Sequence, residues 1–244
     1  LAVGMLQPAD YLLQLMKKQV DELVADDEKL QQFLVWVKEK SDSIAVSYKP
    51  AAIRAFYFQL GGDRTSHCHQ VEHGDRELIS LLDRRLFILL ALGNIHTLDI
   101  GLDDLLTLAC DRTLKLDFAN YPYPFKGAFF LACDRANVLY PKLGKALQEL
   151  KNQLPDIEND RRKFRQWWDN NSESWREKLK LVMVEYRNIG HSWLFNREQQ
   201  KLLQQYYNAN KLLVDCLHSD CYISREVRQE IEDSLLLPIG EIKK

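Results

Sequence analysis

The chain has 244 residues, 46% of them hydrophobic and 28% charged, with a formal net charge of -2. That balance excludes a disordered chain and gives no overall pull toward nucleic acid or an anionic membrane, so any such contact must come from a local patch. Five cysteines, an odd number scattered along the chain, do not read as a secreted disulfide scaffold but as reduced thiols in a cytoplasmic protein.

The length is enough to bury one large core or two small ones. No basic segment precedes an apolar stretch at the start, so no signal peptide is read, and the longest apolar run, Leu86 to Leu92, is far too short to cross a bilayer. The apolar opening Leu1-Ala2-Val3-Gly4 without an initiator Met reads as the cut end of a preceding helix, so a longer parent protein is expected.

The apolar periods are helical nearly throughout. Pro8 suits a first helical turn, and Leu13, Met16, Val20 and Val24 then fall on one face. Leu30, Phe33, Leu34 and Val37 repeat the pattern, Ser41 to Lys49 interrupts it, and Pro50 opens a helix carrying Ile53, Phe56, Tyr57 and Leu60. Gly61-Gly62 ends that helix and a polar loop runs to Gly74. A further helix from Asp75 carries Leu78, Leu82, Leu86 and Leu89 until Gly93-Asn94 stops it. Leu102, Leu105, Ala109, Thr113 and Leu116 define the next helix, and Tyr121-Pro122-Tyr123-Pro124 makes a stiff connection. A long helix from Phe125 runs to about Leu147 with a bend at Pro141, and Leu154-Pro155 closes it.

After Pro155 the composition turns charged and aromatic, which sets a soft boundary between a helical region 1–155 and a C-terminal helical subdomain 156–244, packed together or apart. Asp169-Asn170-Asn171-Ser172 reads as a break before a helix from Glu173 to about Ile189. Asn196 with Gln199 has the spacing of a capping box. The helix that follows carries Leu203, Tyr206, Asn210, Leu213 and Leu217. Ser224 caps a last helix with Val227, Ile231 and Leu235 inward, and Pro238 ends it. The expected fold is all-α, with about eight to nine helices in a repeat-like or irregular bundle that ends in an antiparallel helical hairpin. One internal echo, Leu108-Ala109-Cys110-Asp111-Arg112 recurring as Leu131-Ala132-Cys133-Asp134-Arg135, suggests stacked units sharing Asp–Arg pairs, or chance reuse of surface charges.

Few residues offer chemistry. His67, Cys68, His69 and His73 share one loop, and Cys216, His218 and Cys221 form a looser group; both have zinc-ligand side chains but neither supplies a four-ligand set at ligand spacing. The plainer reading is a polar loop and two thiols that pack as small hydrophobes. Arg161, Arg162, Lys163 and Arg165 precede Trp167 and Trp168, a basic and aromatic mixture that suits contact with nucleic acid or a partner, although acidic Asp156, Glu158 and Asp160 lie just before it and the Trp pair can equally be core. No phosphate loop is present, since Leu143-Gly144-Lys145-Ala146 lacks the upstream Gly and the following Ser or Thr. No cofactor is expected.

Two resemblances add to this reading. Arg187-Asn188-Ile189-Gly190-His191 resembles the Arg-Asn…His motif of HEPN-type ribonucleases, which would make Arg187, Asn188 and His191 an RNA-cleaving set, with Arg on the scissile phosphate and His moving a proton. Only three residues separate Arg187 from His191, fewer than that motif usually has, and the same residues also suit the negative end of a helix. The wording from Leu202 to Pro238, LLQQYYNANKLLVDCLHSDCYISREVRQEIEDSLLLP, together with YKPAAIRAFYF earlier in the chain, resembles the C-terminal helical region of bacterial, cyanobacterial-type NACHT-family STAND NTPases. That resemblance implies a non-enzymatic sensing or regulatory module in antiphage defence or signal transduction. Its implied partners are an upstream NACHT NTPase core in the same polypeptide and an unknown trigger, protein or nucleic acid, with no membrane.

Overall fold

Helices form where the apolar stripes run, and the stripes are the faces they bury. The computed structural model describes residues 9–45, 49–62, 98–113, 123–156, 159–219 and 221–242. Among the described residues there are nine α-helices and no strand, so the fold is all-α. In chain order they are α1 (Asp10–Glu22), α2 (Glu28–Asp42), α3 (Pro50–Gly61), α4 (Leu98–Arg112), α5 (Tyr123–Leu139), α6 (Pro141–Asn152), α7 (Arg161–Arg187), α8 (Arg197–Leu217) and α9 (Arg225–Ser234), with a 3-10 turn at Ile239–Glu241. The loop after Gly62, the helix expected from Asp75 to Leu92, Leu116 and the Tyr121-Pro122 turn lie outside the described residues. No described helix is long and apolar enough to cross a membrane.

The chain divides into two compact units, one of Leu1–Asn94 with Trp193–Lys244 and the other of Ile95–Ser192. The first contains α1, α2, α3, α8 and α9. Leu13, Val20 and Val24 are buried, as are Leu30, Phe33, Leu34 and Val37, and Ile53, Tyr57 and Leu60, so the stripes read from the sequence face this core. Phe33 is its hub, with Trp36, Phe58, Trp193 and Phe195 at 5.2–5.8 Å between ring centroids. α1 packs against both α8 and α9, and α9 also packs against α3, so α8 and α9, expected as an antiparallel hairpin, pack on α1 rather than chiefly on one another. Buried Arg54 on α3 donates to the carbonyls of Asp233 and Leu235 at 2.6 and 2.7 Å, satisfying the end of α9. Burial lowers its pKa to about 10, which leaves it charged at neutral pH.

Two helix starts in this unit are tied side by side. Asn196 and Gln199 form the capping box expected at α8. The Gln199 amide also donates to both carboxylate oxygens of Asp27 at 3.0 and 3.2 Å, while Asp27 accepts from the Leu30 N–H to cap α2. Partial burial acts to raise the Asp27 pKa, but the Leu30 N–H and the Gln199 amide outweigh it and hold the carboxyl below its ordinary value. A depressed carboxyl stabilises the fold above its unfolded pKa of about 3.9, and that contribution is lost as pH falls through the folded value. Asp27→Ala is therefore expected to cost about 0.5–2 kcal/mol at pH 7, and the difference from wild type should shrink below pH 4 (roughly the unfolded carboxyl value). Thermal melts followed by circular dichroism at both pH values check it; a difference that grows on acidification contradicts the assignment.

The second unit contains α4 to α7. α5 packs against α4 and α6, and α7 packs against α4 and α6. The repeated Leu-Ala-Cys-Asp-Arg segment lies on α4 and α5, where Ala109, Cys110, Ala132 and Cys133 are buried. Burial pushes both thiols up to about 11, so they pack as small hydrophobes. On α4 the buried face runs through Leu102, Leu106 and Ala109, with the expected Leu105 only half-buried. An aromatic cluster of Phe125, Phe129, Phe164, Trp168 and Trp175 fills the core, and the Trp175 Nε1–H donates to the Leu150 carbonyl at 3.0 Å.

Two local expectations are corrected here. Pro141 does not bend one long helix but separates two: Tyr140 leaves helical geometry at φ -139° and ψ 78°, as a residue before proline favours, and Pro141 opens α6. The break expected at Asp169 to Ser172 is absent, and α7 runs unbroken for 27 residues. Asn170 and Asn171 turn their amides back onto the carbonyls of Gln166 and Trp167, at 2.8 and 2.7 Å, inside the helix instead of capping a new one. Pro155 lies between α6 and α7, inside this unit.

α5 and α6 meet where only glycine fits. A Cβ on Gly144 would lie 2.2 Å from Asn137 Oδ1 and 2.7 and 2.8 Å from the Asn137 backbone. Backbone atoms cannot swing aside as a flexible side chain does, so Gly144→Ala forces the helices apart. The overpacking cost of about 1–3 kcal/mol exceeds the helix propensity gained, about 1 kcal/mol. A lower urea midpoint is expected; a higher one contradicts the contact.

Candidate functional site

Both sets of residues that the sequence offers for chemistry in the second unit lie at the ends of α7, one at its start and one at and just beyond its close. Phe164, Trp168, Trp175, Leu179, Met183 and Arg187 recur at intervals of four and seven and form its buried side. Asp160 caps the helix by accepting from the Lys163 N–H at 2.9 Å. Arg161, Arg162, Lys163 and Arg165 project from the first turns and are exposed. The two tryptophans separate: Trp168 is buried and stacked on Phe164 at 5.8 Å, whereas Trp167 is half-buried and touches Trp168 at 6.1 Å.

The other end of α7 is built around Arg187. Its Nε donates to Asp103 Oδ1 at 2.6 Å and its Nη2 to Asp103 Oδ2 at 3.1 Å, a two-point grip on a carboxylate that is fully buried. Nη2 also lies 3.2 Å from Asp99 Oδ1. The flat guanidinium sits 4.5 Å from the centre of the Tyr140 ring, whose hydroxyl donates to Asp99. Burial works against the charge on Arg187, but the Asp103 carboxylate more than offsets it and holds the guanidinium above its ordinary pKa. Burial and the bond to Asp99 likewise push the Tyr140 phenol up. Arg176 completes the frame by donating to the Thr113 carbonyl at the end of α4, 3.2 Å away.

Beyond Arg187 the helix stops at Asn188, which takes the left-handed conformation at φ 53°. Its N–H reaches the Val184 carbonyl at 3.0 Å, and Gly190 follows at φ 84°. His191 Nε2 lies 2.7 Å from Asn188 Oδ1, and partial burial lowers the imidazole pKa. Arg187, Asn188 and His191 are thus near one another in the chain but differently employed. Arg187 is 7% exposed, and two carboxylates and a ring face occupy it. To hold a phosphate it would have to release the fully buried Asp103 carboxylate, so its task in this arrangement is to brace α7 on α4 and Tyr140. Asp99, Asp103 and Tyr140 were not singled out in the sequence. The one signal for the two carboxylates is their i, i+4 spacing on α4.

The remaining candidates belong to other stretches of the chain. Cys216 and Cys221 are buried free thiols, and Cys221 Sγ donates to the Cys216 carbonyl at 3.2 Å, while His218 is exposed. His67, Cys68, His69 and His73 lie outside the described residues. Among the described residues no three His, Cys, Asp or Glu side chains come together to hold a metal ion.

No curated protein and no solved structure matches the chain. One family model does, over residues 143–238, a stretch that contains most of α6 and all of α7, α8 and α9. That family is NACHT C-terminal Helical domain 2, and its match identifies this stretch with the NACHT C-terminal helical region that the sequence resembles.

Proposed function

We propose that the chain is a non-enzymatic sensing or regulatory helical module of a NACHT-type STAND NTPase, acting in the cytoplasm in antiphage defence or signal transduction. The match of residues 143–238 to NACHT C-terminal Helical domain 2 is the observation that carries this reading. The use of Arg187 as a buried brace supports it, because the residue that an RNA-cleaving reading needs at the scissile phosphate is engaged elsewhere. The partners on this reading are the NACHT NTPase core of the same polypeptide and a trigger, protein or nucleic acid, that meets the helical module. The test compares ATP hydrolysis by a polypeptide carrying the core with and without this module. A changed basal rate or a lost response to stimulus is expected, and identical hydrolysis in both would sink the regulatory role.

A further inference from the structure

We infer that the start of α7 is a docking surface for single-stranded nucleic acid, with Arg161, Arg162, Lys163 and Arg165 on the phosphates and Trp167 stacked on an unpaired base. The inference rests on the proposed sensing role and names the chemistry of its trigger. Its first support is where the charges stand. A helix N-terminus carries the positive end of the dipole, where acidic side chains stabilise and basic ones do not, yet the first turn of α7 holds no acid. Of the carboxylates just before the helix, Asp160 accepts from the Lys163 N–H and Asp156 accepts from the Asn159 N–H and side-chain amide.

Arg161 and Arg165 are four apart and Arg162 and Arg165 three apart, so like charges are neighbours on the helix surface and repel. Among the described residues Arg162, Lys163 and Arg165 have no ion-pair partner. This placement weakens the helix end in isolation, and an anion would relieve it.

The second support is Trp167. Trp168 takes the core position beside Phe164 and Trp175. Trp167 instead stays half-buried one turn beyond Lys163, its ring steadied by Trp168 at 6.1 Å. An aromatic face supported from one side and set among cations is the pairing by which single strands are held. The size of the patch favours a single strand over a duplex. From Arg161 to Arg165 the helix rises only about 6 Å, a reach of few phosphates, and duplex bases have no free face for an indole.

The test uses the purified chain and a fluorescein-labelled single-stranded oligonucleotide of mixed sequence, followed by anisotropy. Binding is expected to weaken with salt, with a logarithmic slope of about -3 for four phosphate contacts on a single strand. Trp167→Ala should weaken binding roughly tenfold without changing the salt slope. The exposed pair Arg162→Glu with Arg165→Glu should abolish binding while the circular dichroism spectrum stays that of wild type. No binding, equal affinity for a duplex of the same sequence, stronger binding to an acidic peptide, or indifference to Trp167→Ala would each overturn the inference. All of these leave the regulatory role to be decided separately by the ATP hydrolysis comparison.

Discussion

Arg187→Ala should destabilise the second unit by about 3–5 kcal/mol, the range for removing one partner of a buried ion pair. Asp103 is fully buried, and Arg187 grips both of its carboxylate oxygens, so the substitution removes a two-point partner from a buried charge. The whole stability of a small domain is commonly only 5–15 kcal/mol (roughly), so a loss of this size is visible in a urea titration followed by tryptophan emission. The cost lies in the buried carboxylate that loses this cation more than in the missing packing. The double variant Arg187→Met with Asp103→Leu should accordingly recover most of the stability, because it removes both charges and keeps the volume. Asp99→Asn should cost less, since that side chain is 33% exposed and water screens it. A change below about 1 kcal/mol for Arg187→Ala, the size of an exposed pair, would mean that the network is not buried in solution.

Leu213→Ala carries the second large effect, about 2–5 kcal/mol for truncating a buried leucine. Leu213 is fully buried on α8, on the stripe with Leu203, Tyr206 and Leu217, and α1 packs against that helix. The first unit should therefore lose stability. Leu212, the next residue in sequence, is 48% exposed, and Leu212→Ala serves as the control, expected within about 0.5 kcal/mol of wild type. Equal effects from the two substitutions would mean that α8 is rotated from the orientation described.

Local signals in the sequence located most of the helices and their inward faces. The stripes of α1, α2, α3 and α8 and the capping box at Asn196 depend on residues three or four apart, and that spacing is written in the chain. The unbroken run of α7 was not legible, because Asp-Asn-Asn-Ser is turn chemistry by composition. The side chains of Asn170 and Asn171 satisfy themselves on carbonyls one turn back, and only the surrounding burial of Trp168 and Trp175 makes that choice favourable. The role of Arg187 was hidden for a different reason. Its chief partner Asp103 stands 84 positions earlier, a separation that no periodicity spans, and the short Arg-Asn…His segment drew attention toward phosphate chemistry. The basic start of α7 was legible as residues, but which tryptophan faced outward became clear only from the packing of Trp168 on Phe164.

A module that senses or restrains an NTPase binds its trigger and leaves it intact, whereas a HEPN-like nuclease cuts RNA through Arg187 and His191. Incubating the purified chain with a mixed-sequence RNA and resolving the products on a denaturing gel separates these most directly. The account expects full-length RNA after prolonged incubation, with wild type and His191→Ala indistinguishable. Robust cleavage by wild type that His191→Ala abolishes would contradict it.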